Sequence, residues 1–237
     1  MQQYGTHNIN FVTPEHVVPQ VALTIIHAQE RGLHIPIIYN TSSYDSADSL
    51  ELLDGLIDIY LPDFVRWSTL SFLSTALLTS SQKMWDSESS RRLLKADDYP
   101  KTAKESIKLM QQQVGDLCFT ADGVAKKGLL LRHLVMPGME EQGRSIMAWL
   151  GQDVSKDAFV NIMEQYHPDA HVGKPRRQTK TRSSANFMDD PKQAERRKYQ
   201  ELNRTVSMTE VSIVKQAAIQ AGLWRFHEPP RHEGFNI

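Results

Sequence analysis

One pattern recurs along most of this chain: a short apolar stretch ends in proline or polar residues, and a stretch with helical spacing follows. The stretches with strand character are residues 5–12, 34–40, 55–61, 129–136 and 158–163. Helical patterns occupy 14–31 (after a short loop), 49–54, 99–114 and 142–150. This alternation is typical of βα units on a parallel sheet. The sequence therefore predicts an α/β fold.

Polar side chains gather just beyond the predicted strands. The first strand runs into Pro14, and Thr13, Glu15 and His16 surround that proline. In α/β proteins, ligands bind in the crevice outside the carboxyl ends of the strands. We therefore expect these strand ends to form the functional site.

The composition excludes several classes of protein. A chain of 237 residues with a net charge of −1 gives no electrostatic reason to expect nucleic acid or a membrane surface as partner. No apolar run reaches the roughly 18 residues of a membrane span. Cys118 is the only cysteine, which excludes an internal disulfide and a cysteine-based metal site within the chain. Since residue 1 leads almost directly into a strand, without a signal peptide, we expect a cytoplasmic protein.

Some segments depart from the βα pattern. Residues 65–82 are mainly Ser, Thr and Leu, contain no acidic residue and match no element type cleanly. Residues 173–198 are basic and polar and cannot bury enough apolar surface to order, so we predict a disordered loop, with a nucleic-acid-binding arm as the alternative. Residues 199–226 are predicted to form a C-terminal helix, chiefly over 202–223, and 227–237 a loose tail.

Short motifs match one known family in order along the chain. They are His-Asn-Ile-Asn-Phe-Val-Thr-Pro at 7–14, Val-Pro-Gln at 18–20, Tyr-Asn-Thr-Ser at 39–42, Asp-Ile-Tyr-Leu-Pro-Asp-Phe at 58–64, Gln-Val-Gly at 113–115, Arg-His-Leu-Val-Met-Pro at 132–137 and Gln-Tyr at 165–166. On these motifs the chain resembles the radical SAM proteins related to the activating enzyme of pyruvate formate-lyase. The resemblance covers about residues 5–168 and the C-terminal helix.

The resemblance implies a fold, cofactors and a class of partner. The fold would be a partial (β/α) TIM-like barrel over residues 1–172. The cofactors would be S-adenosylmethionine and a [4Fe–4S] cluster held by a CxxxCxxC loop, whose reductive chemistry yields a 5′-deoxyadenosyl radical. The partner would be a protein substrate of the glycyl-radical enzyme type, or a small molecule.

The chain departs from the family's pattern in ways that bear on activity. The cysteine loop and the first βα unit should precede residue 5 and are missing, so this chain should not bind the cluster. Removal of 65–82 would place Lys83 where the family has a lysine. We hypothesise that both departures come from the gene model, through a lost upstream exon and a retained intron. The family also prefers a small residue in place of Glu15.

The resemblance implies that the cofactor contacts the ends of the strands. The candidate binding residues are Thr13, Pro14, Glu15, Asn40, Thr41, Ser42, Asp63, Arg132, His133, Met136 and Gln165. The first three would receive the methionine amino group, and the next three would bind ribose hydroxyls. Asp63 would accept from cofactor or substrate, Arg132 or His133 would contact the cofactor carboxylate, and Met136 would pack on adenine. Gln165 would line the rim beside substrate.

Each assignment has a structural alternative. The strand-end residues could simply form turns, with Glu15 capping the next helix, and Asp63 could be a cap or part of a structural ion pair. Arg132 could form a structural salt bridge, and Met136 could be core. For the whole chain, the alternatives are a non-catalytic barrel remnant and a metal-dependent barrel hydrolase. The hydrolase would use imidazole and carboxylate ligands from His7, His16, Asp63 and His133.

Overall fold

A computed structural model describes residues 2–64, 96, 98–168, 172–173 and 199–226. The predicted insertion at 65–82, nearly all of the predicted basic loop at 173–198 and the predicted tail at 227–237 lie outside these residues. Lys83 lies outside them as well.

Strands and helices alternate as the sequence predicted. The strands are β1 (Ile9–Val12), β2 (Ile37–Thr41), β3 (Ile59–Pro62), β4 (Cys118–Phe119), β5 (Ala125–Leu134), β6 (Phe159–Met163) and β7 (Arg225–Phe226). The α-helices are α1 (Val18–Gln29), α2 (Ala47–Leu52), α3 (Tyr99–Val114), α4 (Glu140–Trp149) and α5 (Met208–Gln220). Short 3₁₀ turns at Gln2–Tyr4 and Gln200–Leu202 and a π-helical turn at Leu150–Val154 complete the elements. The predicted α/β fold is confirmed.

The described residues form a sheet of seven strands, and its connectivity is simple. The strand order is β1-β2-β3-β5-β6-β7, and every neighbouring pair in this order is parallel. Only β4 runs antiparallel, against β5. Each parallel strand therefore pairs with the next one along the chain, an order compatible with a partial β/α barrel.

The helices cover one face of this sheet. Alternate strand residues such as Tyr39, Tyr60 and Leu131 are fully buried and share an apolar core with residues of the helices, among them Ile107 and Val214. Because side chains alternate across a strand, the residues between these core positions point to the other face, which is only partly covered.

The C-terminal helix is shorter than the sequence predicted. Its side-chain cap, Ser207, accepts from the backbone N–H of Glu210, and the Glu210 carboxylate accepts from the Ser207 N–H in return. This capping box fixes the first helical residue at Met208, whereas the prediction placed the start near residue 202. Gly222, at φ +84°, follows the helix at its predicted end.

Two short strands, β4 and β7, were not predicted from the sequence. β4 and β7 have two residues each, too few for an alternating pattern to appear in the sequence. β5 begins at Ala125 rather than at the predicted residue 129, because its first residues pair with β4. No helix in the described part of the chain is long and apolar enough to cross a membrane.

Candidate functional site

The candidate residues lie along one edge of the sheet. Since β1, β2, β3, β5 and β6 are parallel, their carboxyl ends and the loops that follow share this edge. The structure brings six of the predicted residues together in two polar clusters. One is centred on Arg132 and the other on Glu15.

The Arg132 cluster joins three strands. Arg132 donates from Nε to Asp63 Oδ1 over 2.6 Å and from an Nη2 hydrogen to Asn40 Oδ1 over 2.8 Å. The side chains of Arg132 and Asp63 are 25% and 19% exposed, so the pair is shielded without being sealed from solvent. Within the described residues, Nη1 of Arg132 and Nδ2 of Asn40 make no hydrogen bond. Both groups are donors, which suits an anionic ligand such as a carboxylate.

Two amides that sequence reasoning missed lie on the same face of the sheet. Asn161 of β6 is in register with Arg132, and Asn10 of β1 is in register with Ile38, two residues before Asn40. Side chains in register on parallel strands share a face. Alternation could have revealed both, because each asparagine lies between two apolar residues of its strand. The partly covered face therefore carries a polar group on four of the parallel strands, and Asp63 directly follows the fifth, β3.

The Glu15 cluster lies where β1 and β2 end. Glu15 Oε1 accepts from the Ser42 backbone N–H over 2.6 Å, from Ser42 Oγ over 2.9 Å and from Thr41 Oγ1 over 3.0 Å. The other carboxylate oxygen, Oε2, is buried and has no hydrogen-bond partner among the residues that the structure describes. A buried carboxylate oxygen without a donor is costly, so this atom fits a cationic or N–H-bearing ligand.

Asp45, which sequence reasoning did not single out, lies behind Glu15. It is 4% exposed, and it accepts from the Tyr39 hydroxyl over 2.8 Å and contacts Thr41 Oγ1 over 2.5 Å. Burial raises the pKa of Asp45 to about 6, although the hydrogen bonds from Thr41 and Tyr39 act in the opposite direction. Burial, together with Asp45, raises the pKa of the Tyr39 hydroxyl far above its ordinary value.

The backbone is strained on both sides of the Glu15 cluster. Thr13 has φ +56° and Ser43 has φ +67°, in the left-handed region that L-residues seldom adopt. The Thr13 N–H donates to Asn40 O over 2.8 Å, and the Ser43 hydroxyl donates to Asp63 O over 2.7 Å, which holds both residues in place. Strain of this kind concentrates at binding sites.

Three of the remaining candidates lie away from the two clusters, whereas Pro14 adjoins the Glu15 cluster. His133 is buried on the helix side, where Nδ1 lies 3.1 Å from Phe64 O, and burial lowers its pKa to about 4. Met136 is 3% exposed and packs in a small apolar cluster with Tyr166. Pro14 is buried beside Glu15, and Gln165 is exposed, with Nε2 3.4 Å from Met163 Sδ.

The described residues offer no site for an iron–sulfur cluster. Cys118 is exposed and pairs with Lys127 near the start of β5, at the opposite end of the strand from the candidate site. Within the described ranges, no group of three or more His, Cys, Asp or Glu residues could hold a metal ion. His133 and Asp63, which the hydrolase alternative needs as ligands, instead contact Phe64 O and Arg132.

The fold and the two clusters define a class: an α/β protein with a mostly parallel sheet and a polar site at its carboxyl edge. No protein-family model matches the chain. A stretch of 163 residues, 68% of the chain, is 24% identical to an uncharacterized protein of Methanocaldococcus jannaschii. The match covers 38% of that protein, so this chain spans well under half of its relative's length.

Proposed function

We propose that this chain binds S-adenosylmethionine as a radical SAM-type barrel related to the activating enzymes of pyruvate formate-lyase. The observation that carries the proposal is the buried, unpartnered Oε2 of Glu15, beside a second cluster with outward donors on Arg132 and Asn40. An acceptor and a set of donors at one edge of the sheet complement the ammonium and carboxylate groups of a methionyl moiety.

The two clusters would divide the cofactor between them. Glu15 Oε2 would accept from the ammonium group, and Arg132 Nη1 with Asn40 Nδ2 would donate to the carboxylate. The orientation of the Asn40 amide follows from its partner, because its oxygen accepts from Arg132 and its nitrogen is left to donate. Asn10 and Asn161, on the same face, suit the ribose hydroxyls.

The residues of this chain do not fit an iron–sulfur cluster, because Cys118 is the only cysteine. The cofactor supplies radical chemistry in the family only when such a cluster is bound. The activity proposed for this chain is therefore cofactor binding. Sequencing of the genomic DNA before codon 1 tests the proposed origin of the departure, since a CxxxCxxC-encoding exon is expected there.

Isothermal titration calorimetry on the purified chain tests the proposal. Wild-type protein should bind S-adenosylmethionine, and Glu15→Gln should weaken that binding about tenfold, the loss typical of one charge-assisted hydrogen bond. Binding of 5′-methylthioadenosine, which lacks the amino-acid moiety, should be unchanged by Glu15→Gln.

Glu30→Gln is the matched control, because Glu30 is an exposed carboxylate that contacts only His27 at the far end of α1. It should bind both compounds as the wild type does. A wild-type chain that binds neither compound would refute the proposal and favour the non-catalytic remnant.

A further inference from the structure

The Thr41 hydroxyl lies between two carboxylates. Its oxygen is 2.5 Å from Asp45 Oδ2 and 3.0 Å from Glu15 Oε1, and it also accepts from the Ser43 backbone N–H over 3.1 Å. A hydroxyl has one hydrogen to donate. If both carboxylates are ionised, Thr41 can donate to only one of them, and the other contact then lacks a hydrogen.

A proton on Asp45 resolves this shortage. Protonated Asp45 donates to Thr41 Oγ1, and Thr41 then donates to Glu15, so that both short contacts carry a hydrogen. Ionised Asp45 takes the hydrogen of Thr41 for itself, since this contact is the shorter of the two. Glu15 is then left with its two donors from Ser42.

We propose that Asp45 is a positioning residue for Glu15, and that its protonation state sets how strongly the Glu15 carboxylate holds a cationic ligand. The inference rests on the proposed function in taking that cation to be the ammonium group of S-adenosylmethionine. Asp45 itself, 4% exposed and enclosed by Tyr39 and Thr41, does not touch the ligand.

The direction of the effect follows from charge and hydrogen bonding together. Ionised Asp45 adds a negative charge behind Glu15 and withdraws one donor from it, and both changes strengthen the attraction for an ammonium group. Protonation removes that charge and returns the donor. Cation affinity should therefore fall as the pH falls through the titration of Asp45.

The groups that face Asp45 are few. On its own side of the sheet they are Glu15, whose charge favours protonation of Asp45, and Tyr39 and Tyr60, whose hydroxyls stay protonated near neutrality because burial raises their pKa values. Burial of Asp45 places its pKa at about 6, within the range in which binding can be measured.

The first test follows S-adenosylmethionine affinity by calorimetry from about pH 7 to about pH 5. Wild-type affinity should fall several-fold over this range, up to a limit of about tenfold that applies if only the ionised state of Asp45 supports binding. Asp45→Asn, which mimics the protonated state, should bind weakly at both ends and lose this dependence. Tyr39→Phe removes a donor to ionised Asp45, so it should move the midpoint of the transition to higher pH.

A purely structural role for Asp45 would predict a different result. In that case Asp45→Asn would lower the melting temperature but keep the wild-type pH profile of binding, and this outcome would overturn the inference while leaving the proposed function intact. If Asp45→Asn does not fold, the midpoint shift in Tyr39→Phe decides the matter, and an unchanged midpoint would overturn the inference.

A second measurement needs no ligand, and so separates this inference from the proposed function. Infrared difference spectra of isotope-labelled carboxyls, wild type against Asp45→Asn, give the protonation midpoint of Asp45. Glu15→Gln should lower this midpoint, because it removes the neighbouring negative charge. If no variant binds S-adenosylmethionine, the proposed function fails. In that case, a lower protonation midpoint of Asp45 in Glu15→Gln would still support the coupling between the two carboxylates. An unchanged midpoint would overturn it.

Discussion

Arg132 and Asp63 form an ion pair of 2.6 Å between Nε and Oδ1, directly after the end of β3 and beside the carboxyl-terminal part of β5. The two residues are also partners in a parallel β-bridge, so backbone and side chains join the same two segments. Asn40 of β2 accepts from the same guanidinium group. One side chain therefore connects three strands at the edge that carries the candidate site, which couples the geometry of the site to the stability of the sheet.

Breaking this ion pair should destabilise the protein. Arg132→Met removes the guanidinium group that pairs with the carboxylate of Asp63, whose side chain is 19% exposed. The loss should be about 1–2 kcal/mol in the free energy of unfolding, between the values for surface and fully buried pairs. Urea denaturation followed by circular dichroism measures it.

The matched control for Arg132→Met is Lys101→Met, which breaks the exposed pair of Lys101 with Glu105, whose side chains are 79% and 63% exposed. This variant should lose less than about 0.5 kcal/mol. Equal losses in the two variants would show that the Arg132 pair contributes no more than a surface pair.

Glu210 links the start of α5 to the segment after β5. Its carboxylate accepts from the Arg204 guanidinium, from the backbone N–H groups of Ser207 and Gly138, and from the Ser207 hydroxyl. Glu210→Gln should cost about 1–2 kcal/mol in unfolding free energy, because it weakens a cap and a loop contact together. Ser207→Ala loses only the cap and should cost about 1 kcal/mol.

The interactions of Glu210 should also make the stability of the protein depend on pH in the acid range. The Arg204 guanidinium holds the pKa of Glu210 well below its ordinary value in the folded state. A depressed folded pKa contributes stability above the unfolded pKa, and this stability is lost as pH falls. Wild-type protein should therefore lose more stability than Glu210→Gln when urea denaturation is repeated at about pH 4. Identical acid profiles would contradict the assignment.

His133 and Asp45 should oppose each other in the pH dependence of stability. Burial lowers the pKa of His133 to about 4, so its contribution is present above the unfolded value of 6.5 and is lost as pH falls. Burial raises the pKa of Asp45 to about 6, so its contribution is present below the unfolded value of 3.8 and is lost as pH rises. Each effect amounts to about 3 kcal/mol at most.

If either side chain is replaced, the pH dependence of stability that the other one causes should become measurable. Compared with wild type, His133→Asn should gain stability on going from about pH 6.5 to about pH 4, and Asp45→Asn should lose it. Unfolding free energies from urea at a series of pH values measure both. His27→Asn is the control for the first variant, because it makes the same substitution at a side chain that is 64% exposed.

Gly128 should not tolerate a side chain. It has φ +123°, and a Cβ there would overlap backbone atoms of Leu117 and Asp116, which cross it closely. Gly128→Ala should cost at least about 3 kcal/mol, since backbone must move. Gly123→Ala is the matched control, because Gly123 also has a positive φ, of +83°, but has open space around it. This variant should cost only about 1–2 kcal/mol of strain. Thermal unfolding compares the two, and equal losses would contradict the close approach.

Much of the fold could be predicted because its elements are long or regularly patterned. The periodicity of α3 and the apolar runs of β2 and β6 are local signals, and each predicted element was found near its expected place. The start of α5 was misplaced because its capping box depends on one local pair, Ser207 and Glu210, which the apolar pattern does not reveal. β7 depends on its pairing with β6, which is distant in sequence, whereas β4 pairs with the nearby β5 but is too short to show an alternating pattern.

The candidate site could be predicted only in part, because its contacts join residues that are far apart in the sequence. Strand-end position singled out Glu15 and Asp63, and a charge within an apolar strand singled out Arg132. Neither signal could show that Asp63 and Arg132 pair with each other. Asp45 lies after the strand end in an ordinary polar turn, and only its burial against Tyr39 distinguishes it.

The sequence by itself determined the α/β class, the order of strands and helices, and the edge at which polar groups gather, because periodicity and strand-end residues are local properties. Tertiary structure decided which charges are neutralised, which hydroxyl is shared between two carboxylates, and which carboxylate oxygen is buried without a donor. These depend on the register of strands far apart in the chain and on burial, and neither is encoded at any one position.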